Sequence, residues 1–336
     1  MGKAAARSSI KQAAARRIVF IEPSLGTPLA AACPDSSRRF LPFHPVDGRV
    51  DKGLHFRGSE LAVSLTGVGL KSAREPAASL KDMHRQSNRE RVATGGKAIY
   101  GAPLGILMLE ARFPRIPGDM GHAQTWPFPV LYKVIPGASP QRVVMERASG
   151  LLDAFLAGAR ELVDLGAEGI TTNCGFLSIY QAELASHVRV PVATSSLLQA
   201  PFIESVLPPG RRVGILTISA GTLTEEHLRS AGVRPGTPVV GTDRGMEFTR
   251  AILGNELELD VAAAERDIVD AGETLVEQHP DVGAVVLECT NMAPYASALR
   301  ERLGLPVYDI YSFITWFQAG LRPRDFGHPA SRGERE

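Results

Sequence analysis

Residues 169–180, GITTNCGFLSIY, and residues 285–296, VVLECTNMAPYA, each set one cysteine directly behind a short apolar run. Each cysteine is followed 17 residues later by a proline, Cys174 by Pro191 and Cys289 by Pro306, inside the strand-like stretches VPVATS and LPVYDI. The chain holds only 3 cysteines in 336 residues, so two in matching surroundings argue for an internal repeat rather than coincidence. Working outward, APLGILML at 102–109 and RRVGILTI at 211–218 read as buried strands that share the tripeptide GIL. Each is followed by a loop and then by an amphipathic helical stretch. The first is RVVMERASGLLDAFLAGARELVDLG at 142–166, with Gly166 as C-terminal cap. The second is DVAAAERDIVDAGETLVEQHP at 260–280, with Asp260 as N-cap and Pro280 beyond its end. The residues between each cysteine and its proline read as a further helix.

Strands alternating with helices predict an α/β protein of two similar lobes, each a parallel sheet flanked by helices with right-handed crossovers. Ligands in such sheets bind beyond the carboxyl ends of the strands, where both cysteines fall. If the lobes face each other about a pseudo-twofold axis, the two thiols meet across one cleft. The expected boundaries are 101–207 plus 305–325 for the first lobe and 208–304 for the second. Residues 1–97 differ: they carry 17 Lys+Arg against 8 Asp+Glu and show no sustained period. They read as a disordered basic extension, and Cys33 within them is given no role.

Composition narrows the function classes. The formal net charge is +1, and once the basic N-terminal segment is set aside the body is mildly acidic, with no basic stripe, so nucleic acid is not an expected partner. No run of about 18 apolar residues exists, so no membrane span is expected. The absence of CxxC pairs or Cys/His clusters argues against a structural metal or a disulfide framework and fits a reducing cytoplasm. No P-loop or G-x-G-x-x-G is present, so no nucleotide cofactor is indicated.

A thiol at a helix start feels the positive end of the helix dipole, which favours thiolate. One such sulfur on each side of a carbon acid can remove a proton from one face while the other delivers a proton to the opposite face. No metal or pyridoxal group is needed if backbone N–H groups stabilise the developing charge. In the first loop, EARFPRIPGDMGHA at 110–123, Arg112 or Arg115 reads as a carboxylate clamp, or as a solvated cation paired with Glu110 or Asp119.

TTNCGF at 171–176, LECTNM at 287–292 and RRVGILTISAGTL at 211–223 make the chain resemble the aspartate/glutamate racemase superfamily over residues 101–324. That group takes in aspartate, glutamate and hydantoin racemases with the related maleate isomerases and arylmalonate decarboxylases. The resemblance implies two α/β lobes around a cleft, with the helix after each PV strand crossing to the other lobe. It implies Cys174 and Cys289 as paired catalytic thiols. Asn173, Gly175, Thr290 and Asn291 would hold a substrate carboxylate, with Thr217 and Thr222 nearby. A homodimer is expected from the resemblance alone. Asn291 stands where glutamate racemases carry histidine, and the first loop lacks their DSG turn, so their auxiliary acid/base groups are not implied here. The expected function is a cofactor-independent racemase or epimerase of an amino acid or related carboxylate. The alternatives are a single-cysteine isomerase or decarboxylase of a dicarboxylate, or a non-catalytic ligand-binding relative.

Overall fold

The computed structural model describes residues 18–21 and 94–326. Two sheets organise the body. The first contains β1 (Ile18–Ile21), β2 (Leu104–Leu109), β3 (Val130–Ile135), β4 (Gly169–Thr172) and β5 (Val192–Ala193), in the order β1-β3-β2-β4-β5. All its pairs are parallel except β1–β3. The second contains β6 (Arg212–Thr217), β7 (Val239–Gly241), β8 (Val282–Leu287) and β9 (Val307–Tyr308), in the order β7-β6-β8-β9 and parallel throughout.

The central strands are near-continuous apolar runs because helices cover both of their faces: every residue of β2 and β4 is buried. Helix α2 (Leu152–Leu165) turns Phe155, Ala159 and Leu162 inward, and Gly166 ends it at φ 126, donating to the carbonyls of Leu162 and Val163. Helix α7 (Val261–Gln278) repeats the design in the second sheet with Ala264, Ile268, Ala271 and Leu275, and Asp260 accepts from the N–H of Ala263. The shared GIL glycines mark where these helices lie close to the sheet. A Cβ on Gly105 would fall 2.9 Å from Ile170 Cδ1 and 3.1 Å from Leu162, and one on Gly214 2.8 Å from Leu275 Cδ2.

The internal repeat extends to the cysteines. Cys174 and Cys289 each stand in extended backbone at the start of a six-residue tight turn, Gly175–Tyr180 and Thr290–Tyr295. Each turn runs into a short helix, α3 (Gln181–His187) or α8 (Ala296–Leu303), and then into the PV strand. Beyond β5, α4 (Ala200–Val206) leaves its own sheet, and Glu204 accepts from the N–H of Val213 on β6 at 2.8 Å. Beyond β9, α9 (Ile310–Leu321) returns the exchange, burying Ile310, Phe313 and Ile314 with Leu104 and Ile106 of β2.

Three expectations change, and a fourth falls almost wholly outside the described residues. The helix expected over 142–166 is broken into α1 (Pro140–Val144) and α2, because Arg147 and Ala148 take positive φ. That turn is held by Tyr180, whose hydroxyl donates to the Ala148 carbonyl at 2.6 Å. The helices expected straight after each cysteine begin instead as the tight turns. The lobe boundary expected at residue 305 moves past Tyr308, since β9 pairs with β8, and α4 sides with the second sheet. The disordered extension expected over 1–97 lies outside the described residues, apart from 94–97 and the four residues of β1, which form an antiparallel edge strand. Cys33 also lies outside them.

Candidate active site

The two motifs meet. Thr290 donates its hydroxyl to the Asn173 carbonyl at 2.6 Å, tying the end of β8 to the end of β4. Ser196, at the crossing from β5, donates to the Leu287 carbonyl at 2.5 Å and reinforces the junction. Cys174 and Cys289 are both outside any disulfide, both buried, and both line one chamber of about 20 Å³, the room of a single water molecule. Its walls are apolar and come from both sheets' surroundings: Phe113, Val144 and Phe176 on one side, Ile218, Ile252 and Leu253 on the other. Asn173, Gly175, Glu288, Thr290 and Asn291 also line it.

The surroundings of the sulfurs repeat as the sequence does. The backbone N–H two residues on works to lower each thiol pKa, Phe176 for Cys174 and Asn291 for Cys289. These donors favour thiolate, but they are outweighed. Burial pushes the Cys174 thiol far up, and Glu288 adds to it; Cys289 is raised well above the usual thiol range for the same two reasons, in the same order. The expectation that the helix dipole lowers both thiol pKa values is therefore corrected for these buried sulfurs. The tight turns give little aligned dipole, and a dry site penalises any lone charge.

The remaining predicted residues divide. Asn173 lines the chamber, but its side-chain oxygen already accepts from the Leu109 N–H at 2.7 Å. Gly175 is needed for space: a Cβ there would fall 2.2 Å from Glu288 Oε1. Asn291 accepts from the Cys289 thiol at 3.7 Å and donates to Asp119 at 2.5 Å. Thr217 lies behind the chamber and donates to Glu288 Oε2 at 2.7 Å. Thr222 donates to the Ser219 carbonyl at 3.3 Å and does not line the chamber. Arg112 is exposed and its N–H donates to Asn255, so the clamp assigned to it is not at the site. Arg115 is the arginine turned inward. It donates to Asp119 at 2.7 Å, lies 4.8 Å over the Phe113 ring, and keeps Nη2 buried with no hydrogen-bond partner.

Two features escaped the sequence reading. The chain Arg115–Asp119–Asn291–Cys289 joins the first loop to the second motif, and no local spacing announces it. Glu288 was visible in LECT as an acidic residue closing an apolar strand. It is fully buried, and burial pushes its pKa up to about 8 against a lowering hydrogen bond from Thr217. Among the described residues no cluster of His, Cys, Asp and Glu fits a metal ion, and no helix is long and apolar enough to cross a membrane.

Residues 146–317 match the family described as Asp/Glu/Hydantoin racemase. A dimethylsulfoniopropionate lyase of Durusdinium sp. clade D is 27% identical over 230 residues, covering 66% of this chain and 76% of that protein. Dimethylsulfoniopropionate lyase 3 of Emiliania huxleyi (strain CCMP1516) is 27% identical over 217 residues, 61% of this chain and 56% of its own length. Among solved structures, a point variant of arylmalonate decarboxylase aligns at 20% identity and a TM-score of 0.47, covering 65% of this chain and 93% of its own. Allantoin racemase from Pseudomonas fluorescens aligns at 16% identity and a TM-score of 0.43, covering 65% and 90%.

Proposed function

The chain belongs to the Asp/Glu/hydantoin racemase family, and from that premise we propose that it removes a proton from the carbon beside a carboxylate, with Cys174 and Cys289 as the proton-transferring groups. The observation that carries this reading is the convergence of two repeat-equivalent thiols, both buried, on one small chamber. A thiolate there is strongly basic because burial leaves it poorly solvated, which suits abstraction from a weak carbon acid. Arg115, stacked on the wall residue Phe113 with Nη2 unpartnered, suits a substrate carboxylate.

The first substrate to propose is dimethylsulfoniopropionate, after the names of the relatives. One thiolate takes the proton from the carbon next to the carboxylate, and that electron pair forms the carbon–carbon double bond. The bond from the β-carbon to sulfur breaks, its electrons leave with neutral dimethyl sulfide, and acrylate remains. The aromatic walls Phe113 and Phe176 suit the sulfonium cation of the substrate. A second reading, racemisation of an amino acid such as aspartate, is favoured by the matched pair of thiols, since elimination asks for only one base.

Purified protein incubated with dimethylsulfoniopropionate should release dimethyl sulfide, followed by headspace gas chromatography. Racemisation would show instead as α-proton exchange of aspartate in deuterated water with loss of optical rotation. The proposal fails if neither substrate loses its α-proton, or if Cys174→Ser and Cys289→Ser both leave the rate unchanged.

A further inference from the structure

Glu288 has no part in the proposed reaction, yet it adjoins Cys289 in the chain and abuts the turn that carries Cys174. It precedes Cys289 directly, is fully buried, and lines the chamber with both thiols. Thr217 occupies its Oε2, while Oε1 is buried without a hydrogen-bond partner. That free oxygen is held under Gly175, the residue after Cys174, close enough that any Cβ on Gly175 would collide with it. The same oxygen thus sits on the carboxyl of the Cys289 neighbour and against the turn that carries Cys174. A buried carboxyl oxygen with no partner is costly to keep for packing alone.

We propose that Glu288 holds the proton that the thiols exchange, as a positioning residue acting through Cys174 and Cys289. This rests on the reading of those cysteines as proton carriers. In the singly charged site a thiol S–H bond breaks, its proton forms an O–H bond on the Glu288 carboxylate, and the sulfur keeps the electron pair. The site carries one negative charge before and after, so no second anion is forced into a dry space. Reprotonation of the sulfur reverses the step. Raised to about 8, the carboxyl lies nearer the ordinary thiol range than the ordinary carboxylate range; the thiols are pushed higher still, so the thiolate is the minor form of the singly charged site. Glu288 heads the charges that raise both thiols, so the three groups titrate as one unit. The other groups acting on this unit are Thr217 on Glu288, Arg115 on Cys174 and Asp119 on Cys289.

The test is the rate of iodoacetamide alkylation at each cysteine, mapped by peptide mass spectrometry on the full chain from about pH 6 to about pH 10. In the wild type the rate should climb about tenfold per pH unit and then flatten near pH 8, where Glu288 ionises and opposes the thiols. Glu288→Gln keeps the shape but cannot ionise, so its rate should climb without the break. Its rate of α-proton exchange on dimethylsulfoniopropionate should fall about a hundredfold while alkylation below the break is unchanged. Thr217→Val removes the hydrogen bond that favours the carboxylate and should move the break to higher pH, which keeps the test decisive if the glutamine variant does not fold. A break that survives Glu288→Gln, or does not move in Thr217→Val, overturns the proposal. Absence of turnover with the break intact sinks the proposed reaction alone; turnover unaffected by Glu288→Gln sinks the proton-holding role alone.

Discussion

At the scale of the residue, the two cysteines were legible because their surroundings recur at equal spacing, and the structure places them on one chamber. What each does follows from substituting them singly. Under elimination, one of Cys174→Ser and Cys289→Ser should lose about 10²–10⁴-fold in rate and the other far less, whereas racemisation should suffer from both. Gly175→Ala should lower the melting temperature and the activity together, because the added methyl meets Glu288 Oε1 and the Glu288 carbonyl at 2.2 and 2.3 Å. Glu288 itself stood in plain view in LECT, but its significance depends on being buried against a turn from the other half of the chain, and no window of sequence reports that. Its raised pKa also bears on stability. Between the ordinary carboxylate value of 4.5 and about 8 the folded chain binds more protons at Glu288 than the unfolded chain, so stability should fall as pH rises through that window. His227, buried and lowered from 6.5 to about 4, works in the opposite direction: stability should fall as pH drops from about 6.5 to about 4. Chemical denaturation across pH should therefore show a plateau from about 4.5 to about 6.5, where the two windows overlap and oppose, then a fall toward about 8 that Glu288→Gln abolishes.

At the scale of the element, strands and long helices were readable wherever one side-chain period ran undisturbed, as in β2 and α7. Asp260 was recognisable as a cap from its place before an apolar-periodic run, and it accepts from Ala263 N–H at 3.0 Å. Asp260→Ala should cost about 1 kcal/mol in urea unfolding and leave the reaction rate untouched, since α7 contributes nothing to the chamber wall. The division between α1 and α2 could not be read, because the residues around Ser149 carry helical periodicity on both sides. The break comes from tertiary partners: the Tyr180 hydroxyl holds the Ala148 carbonyl, and Arg142 reaches the Ser149 carbonyl at 3.3 Å. The edge strand β1 is four apolar residues behind a pair of arginines, too short for its alternation to register against basic surroundings.

At the scale of the whole molecule, a chamber with room for one water cannot receive a carboxylate substrate unless its walls part. Those walls include Val144 of α1 and Ile252 and Leu253 of α6 (Phe248–Leu253), two short helices whose separation would widen the chamber. If that motion limits turnover, kcat should decline in proportion to added sucrose viscosity, while a Cys174→Ser or Cys289→Ser variant slowed in its chemistry should be insensitive. The duplicated design was evident from the spacing of the cysteines and prolines; the size of the chamber was not, since it depends on how closely side chains from distant segments interlock. The reciprocal placement of α4 and α9 carries a final consequence. Each half of the chain finishes the other's interior, so neither is a self-sufficient folding unit despite owning a sheet. A chain cut in the loop at Pro208 should yield two insoluble pieces when they are made apart, and a working heterodimer when they are made together.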